Sequence, residues 1–198
     1  MIGYSLTAVR EEDFVQLCRW RNDSVFQKFC GQQRNQLTVD EFRSELRACV
    51  SRGRHWQSMI RNRLDESVGT IYSYEYSKRD KYCFTTIYLD HTAARSGIGV
   101  YATLAFTQML YSALALYKIY FDVHEYNGTV VSMLKRVGLP LEGRFAGHRL
   151  LEGSRYDTLR FALYANHLPS LLDRYQRRDR NVFQVISKRE RKFAAVQR

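Results

Sequence analysis

No two of the four cysteines (Cys18, Cys30, Cys49, Cys83) sit at CxxC spacing, so neither a zinc site nor a disulfide framework is indicated. Reduced thiols in a cytoplasmic protein, without a metal, are the expectation that follows. The N-terminus, Met1-Ile2-Gly3-Tyr4-Ser5-Leu6, lacks the basic region and apolar core of a signal peptide. Internal repeats and low-complexity segments are absent. Proline is scarce, with two in the chain, and Pro169 reads as the end of a folded domain. Acidic residues are outnumbered, 20 Asp and Glu against 31 Lys and Arg, which leaves a net charge of +11. The excess is uneven: residues 169–198 hold nine basic and three acidic residues, the other 168 hold 22 and 17. A chain so charged suits anionic partners, although charge alone does not say which.

What is present is a globular composition, 45% hydrophobic and 14% aromatic, over 198 residues, enough for one domain with a sizeable core. The most informative stretch runs from Tyr88 to Tyr117. Its segment from Ser96 to Tyr117 holds no charge over 22 residues, long enough to span a bilayer. Thr103, Thr107, Gln108 and Ser112 interrupt it, and a strand-like run, Ile119-Tyr120-Phe121-Asp122-Val123, follows at once. A buried helix against a sheet is therefore expected, and no membrane span. Gly97-Ile98-Gly99 lies where a loop becomes that helix. Glycines there let backbone approach a ligand, and the free N–H groups of a first helical turn attract an anion. Arg95 adds charge beside them. A GxG also occurs in ordinary turns, so the motif decides nothing by itself.

The rest of the chain alternates strands and helices. Residues 4–9 read as a strand, and Glu11-Glu12-Asp13 opens an acidic first turn of a helix that ends at Asn22-Asp23-Ser24. Thr38-Val39-Asp40-Glu41 is a capping box, with Phe42, Leu46 and Val50 at helical spacing behind it. Residues 55–61, 68–76 and 82–89 read as a meander of three strands. After the strand at 119–123, a helix is expected from Thr129 to Val137 with Gly138 closing it. Residues 145–150 and 157–164 form a hairpin around Glu152-Gly153-Ser154-Arg155. This order indicates an α/β or α+β fold with one βαβ unit.

Several residues, in this order, make the chain resemble the GNAT superfamily of acyl-CoA-dependent N-acetyltransferases over about residues 1–165. They are Leu6, Arg10, Asp13 and Trp20-Arg21-Asn22-Asp23, then Val68-Gly69, then Tyr88-Leu89-Asp90 leading into Ala94-Arg95-Ser96-Gly97-Ile98-Gly99, and further on Asn127, Gly138-Leu139, Leu141-Glu142-Gly143, Gly153 and Asp157. The likeness is nearest to the RimJ/RimL-like branch and to amino-sugar acetyltransferases such as PseH. It implies a mixed, mostly antiparallel central sheet flanked by helices, with a βαβ unit that binds acyl-CoA, in a domain of residues 1–168. Residues 169–198 would be a basic C-terminal tail, read as helical. The family's loop, R/Q-x-x-G-x-G/A, puts the CoA diphosphate on Ala94, Arg95, Ser96, Gly97, Ile98, Gly99 and Val100, with Ala94 departing from the usual Arg or Gln. Tyr88 and Leu89 would pair with the pantetheine arm, and Asn127 would touch it.

The implied reaction moves an acetyl group from acetyl-CoA to a primary amine. Such an amine is mostly protonated at neutral pH, with a pKa of about 10, so a base must take a proton. Asp122, His148 and His124 compete for that role. The tyrosine that many relatives use to protonate the departing thiolate is replaced by Leu134, and the branch's serine by Val130. Ser132 and Thr129 are the nearest hydroxyls, and a thiol of pKa about 8.5 can leave without help. The favoured acceptor is a small molecule such as an amino sugar. A protein N-terminus is the alternative, as is an inactive domain that contacts nucleic acid through its basic tail. The tail, Arg174 to Lys192, is a solvated helix or a contact for an anionic partner. The protein is expected to be a monomer or a homodimer.

Overall fold

A computed structural model describes residues 3–29, 35–53, 55–94 and 96–178. Its strands are β1 (Ser5–Ala8), β2 (Trp56–Arg61), β3 (Ser67–Ser77), β4 (Tyr82–Leu89), β5 (Lys118–His124), β6 (Leu141–Leu151) and β7 (Ser154–Tyr164). Its helices are α1 (Asp13–Asn22), α2 (Ser24–Phe29), α3 (Val39–Ser51), α4 (Ile98–Leu114), α5 (Gly128–Val137) and α6 (Leu168–Arg178). The strands form one sheet in the order β1-β2-β3-β4-β5-β7-β6. Every neighbouring pair is antiparallel except β4 with β5.

β5 shows how alternation places side chains. Ile119, Phe121 and Val123 are buried, while Lys118, Tyr120, Asp122 and His124 are half-buried on the opposite face. The first set packs under α4, whose Phe106 and Leu110 are fully buried. Burying each of those side chains is worth about 1.5–3 kcal/mol. Tyr82, Phe84 and Tyr88 of β4 share the face of Tyr120: Phe84 stacks near Tyr120 at 5.2 Å, and Tyr88 meets Trp20 of α1 and Phe26 of α2 at 5.6 and 5.2 Å. The sheet therefore has α4, α5 and α6 on one side and α1 to α3 on the other. A buried ion pair ties α1 to the sheet: Arg61 donates to Asp13 at 2.5 Å and to Thr7 at 3.0 Å, while Asp13 also accepts the Arg10 N–H at 2.7 Å.

The capping box forms as expected, with Thr38 and Glu41 bonding to each other's backbone N–H. Three features differ from the expectation. A short helix, α2, follows at once from the turn expected at Asn22-Asp23-Ser24, where none was expected; α2 buries none of its residues, so it leaves no periodic signal. The first strand of the hairpin is longer at both ends and the second starts earlier but ends at Tyr164 as expected, and the turn is the pair Glu152-Gly153, both with positive φ (49° and 79°). Pro169 is the second residue of α6, in a first turn where its missing N–H does no harm. Leu168 and Leu171 of that helix belong to the main core. Residues 179–198, the larger part of the basic tail, lie outside the described residues, as does Arg95. Among the described residues no helix is long and apolar enough to cross a membrane.

Candidate active site

α4 begins at Gly97, which caps it in the left-handed region at φ 84° and offers no side chain to its first turn. The first turn contains no acidic residue. Ser96 accepts the Ile98 N–H at 3.3 Å and donates to the Ala93 carbonyl at 2.6 Å. Asp90 shapes the loop before it by accepting the N–H groups of Thr92 and Ala93 at 2.9 and 3.2 Å. A Cβ on Gly97 would meet nothing within 4 Å, and one on Gly99 would meet only Leu89 Cδ1 at 3.4 Å. The first-turn amides of Ile98 and Val100 have only long local acceptors, Ser96 Oγ and the Gly97 carbonyl at 3.3 Å each, and among the described residues no side chain fills the space before Gly97, so the helix start is accessible to an outside anion. Ala94, at the departing loop position, is exposed.

The βαβ unit is open along its middle. β4 and β5 pair only at Tyr82–Lys118, Cys83–Ile119 and Phe84–Tyr120, and then separate. Between them lies a cleft of about 800 Å³, open to solvent at its mouth. Thr85, Thr86 and Ile87 line one wall and Phe121, Asp122 and Val123 the other; Val100 of α4 and Asn127, Val130 and Leu134 of α5 close it. Asn127 caps α5 without a side-chain cap bond and lines the cleft. The end of β4 is held by Gly69 of β3: a Cβ there would stand 2.4 Å from the Tyr88 carbonyl oxygen and 3.2 Å from Leu89 Cα. Only glycine permits that approach. Tyr88 and Leu89 continue β4 past Ile87, the last residue of that strand to line the cleft, with the Tyr88 ring packed against α1 and α2. A narrow apolar slot that leads to a helix start and carries one carboxamide fits a long ligand with an anionic group.

The polar side chains stand on the other face. Asp122 is held in a bidentate pair by Arg160, Nε to Oδ1 at 2.8 Å and Nη2 to Oδ2 at 2.7 Å. Arg160 lies over Phe84, Phe145 and Tyr120 at 4.6, 4.9 and 5.3 Å. Burial pushes the nearby Tyr74 phenol up to about 12. His124 ends β5 with Nδ1 3.0 Å from the Thr158 hydroxyl and its ring 5.3 Å from Tyr126. Burial, then the charge of Arg149, holds it below its ordinary 6.5, with Asp122 opposing. His148 is exposed on β6, 5.6 Å from the Phe145 ring. Ser132 lies on the exposed side of α5, whereas its neighbours Val130, Met133 and Leu134 line the cleft. The structure thus gathers Asp122, His124 and His148 on one side and leaves Ser132 on another surface. Sequence reasoning missed Arg160 and Thr158, because their pairing with β5 spans 38 and 34 residues.

Residues 5–140 match the acetyltransferase (GNAT) domain, and the chain belongs to that family. No curated protein matches the sequence. Among solved structures, spermidine N-acetyltransferase from Vibrio cholerae in complex with CoA and spermine superposes with a TM-score of 0.78 at 14% identity, over 84% of this chain and 98% of that one. RimL, a ribosomal-protein alpha-N-acetyltransferase in complex with coenzyme A, superposes with a TM-score of 0.70 at 17% identity, over 80% of this chain and 92% of that one. The protein is accordingly an acyltransferase with acetyl-CoA as co-substrate, and the α4 start and the slot between β4 and β5 are the parts that fit it. When bound, acetyl-CoA supplies an acetyl group activated as a thioester. Among the described residues no cluster of His, Cys, Asp or Glu could hold a metal ion.

Proposed function

We propose that this chain acetylates the primary amine of a small molecule, with an amino sugar as the favoured acceptor, in the manner of the RimJ/RimL-like branch. The observation that carries this reading is the bracket that α2 forms over the acceptor side. Tyr126, just after β5, donates its hydroxyl to the Lys28 carbonyl at 2.6 Å, and Arg149 of β6 donates to the Gln27 carbonyl at 3.1 Å. Phe29 adds a ring contact to Tyr126 at 5.9 Å. A bracket of this kind narrows the approach to Asp122 and His124, which favours a compact acceptor over a folded protein. Its aromatic and hydroxyl groups, Tyr126, Tyr156 and Thr158, suit a polyhydroxylated ring. The free thiols of Cys18, Cys49 and Cys83 accord with a cytoplasmic enzyme. Release of free thiol from acetyl-CoA, measured with amino sugars, polyamines and short peptides, tests the proposal. Fastest turnover with an amino sugar is expected, and a strong preference for peptide N-termini would overturn it.

A further inference from the structure

The geometry points to His124 as the base that takes the proton from the acceptor amine, with Asp122 as its positioning and electrostatic partner; this rests on the acetyl-transfer reading. His124 is the last residue of β5, four beyond the point where β4 and β5 cease to pair, on the face where an acceptor reaches the slot. Its ring is fixed on two sides, by Thr158 at Nδ1 and by Tyr126, which is itself anchored to α2. In the tautomer that donates Nδ1–H to the Thr158 hydroxyl, Nε2 carries the ring's lone pair and is the nitrogen able to accept a substrate proton.

Its competitors are less suited. Both oxygens of Asp122 are occupied by Arg160, so accepting a proton there would break a bidentate pair. His148 is exposed and touches the Phe145 ring. The groups that face His124 are Asp122 on its own strand, Arg149 and His148 on β6, Thr158 on β7, and Tyr126 in the following turn, with Tyr156 of β7 packed on the Tyr126 ring. Burial and Arg149 keep the imidazole neutral near pH 7, while Asp122 stabilises the imidazolium once it forms. In the reaction the neutral amine nitrogen bonds to the acyl carbon, and the nitrogen's surplus proton passes to Nε2. The C–S bond breaks with its electron pair left on sulfur. The proton then goes from Nε2 to that sulfur or to solvent, which regenerates His124.

The test uses the full chain with glucosamine, spermidine and a short peptide, taking the amine that the parent acetylates fastest. His124→Gln should lose about 10²–10⁴ in kcat while its melting temperature still rises with acetyl-CoA. The parent's kcat should fall below pH 6.5 as the imidazole is protonated, and that limb should vanish in His124→Gln. Asp122→Asn should move the limb to lower pH and lower kcat by less than His124→Gln does, because the base remains while its imidazolium loses a countercharge. Loss of 10²-fold or more in Asp122→Asn, with less than fivefold loss in His124→Gln, overturns the assignment. NMR titration of the five histidines adds a readout that needs no acceptor. His124 should titrate below 6.5 with its proton on Nδ1, and titration above 6.5 or a proton on Nε2 overturns the assignment. Failure of the parent to bind acetyl-CoA would instead refute the acetyl-transfer reading.

Discussion

Replacing each glycine of the loop by alanine separates what the backbone needs from what the ligand needs. Gly97 has φ 84°, where an L side chain costs roughly 1–2 kcal/mol, although its Cβ would find open space. Gly99 is inside the first turn of α4, where alanine gains up to about 1 kcal/mol of helix propensity and meets Leu89 only at ordinary contact distance. Without ligand, Gly97→Ala should therefore melt lower than the parent by roughly 2–8 °C, at about 2–4 °C per kcal/mol for a chain of this size. Gly99→Ala should melt at or slightly above the parent. Acetyl-CoA at 100 times its dissociation constant adds about 2.7 kcal/mol, a rise of roughly 5–11 °C in the parent. Both variants should lose most of that rise, because both methyl groups enter the space an anion needs at the helix start. Thermal-shift titration reads all of these values. If Gly99→Ala keeps the parent's full ligand-induced rise, the start of α4 does not bind the diphosphate and the loop is only a turn.

Three further outcomes follow from other parts of the structure. Arg61→Ala leaves Asp13 buried without its cation and should destabilise by about 3–5 kcal/mol, visible as a lower denaturation midpoint; a change under 1 kcal/mol would mean the pair is unimportant. The Gly147 N–H, and then Arg144, hold the Asp157 carboxyl below its ordinary range, so its stabilising effect is full above the unfolded carboxylate value near 4 and is lost as pH falls through the lower folded value. Asp157→Asn should flatten that part of the acid-denaturation curve, and an unchanged curve would refute the role. Removing residues 179–198 should leave the acetyl-CoA shift intact, whereas removing 170–198 strips Leu171 from the core and should destabilise by at least 2–5 kcal/mol. Equal stability of the two truncations would show that α6 contributes nothing.

The features legible in the sequence are those whose signal is local. The capping box at Thr38 and Glu41 and the alternation of β5 each act within a few residues, and they appear in the structure as expected. The Gly97-Ile98-Gly99 start of α4 has the same local origin. Features that depend on distant partners were not legible. Nothing in β4 or β5 states that their ladder ends at Phe84 and Tyr120, because the separation is set by what packs on both faces. The Arg160 pair of Asp122 arises from the β5–β7 register, in which the two residues stand directly opposite. α6 is an intermediate case. Leu168, Leu171, Leu172 and Tyr175 carry helical spacing and the helix is expected, but they merge into the charged tail, and the composition change at Pro169 hides that this helix packs on the core.

The division of β5 into two faces also constrains any account of the chemistry. Its odd-numbered residues, Ile119, Phe121 and Val123, support the apolar floor beneath α4 and α5. Its even-numbered residues share a face with Phe84 and Tyr88, and hence with α1 and α2. Because the strands part beyond Phe84, residues from both faces of β5, Phe121, Asp122 and Val123, line the cleft between them. On the proposed reading a thioester held from the α4 side meets its acceptor from the side of α1 and α2, where an attacking amine meets β5 through its even-numbered residues. Asp122 and His124 satisfy that condition. Asp122 faces Arg160 of β7, whereas His124 borders the α2 bracket through Tyr126. Proton removal and acceptor choice are then exercised by the same few residues. A substitution that opens the bracket, such as Tyr126→Phe, which deletes its bond to the Lys28 carbonyl, should change acceptor preference and the His124 pH profile together. Movement of one without the other would separate acceptor selection from the proton-transfer site.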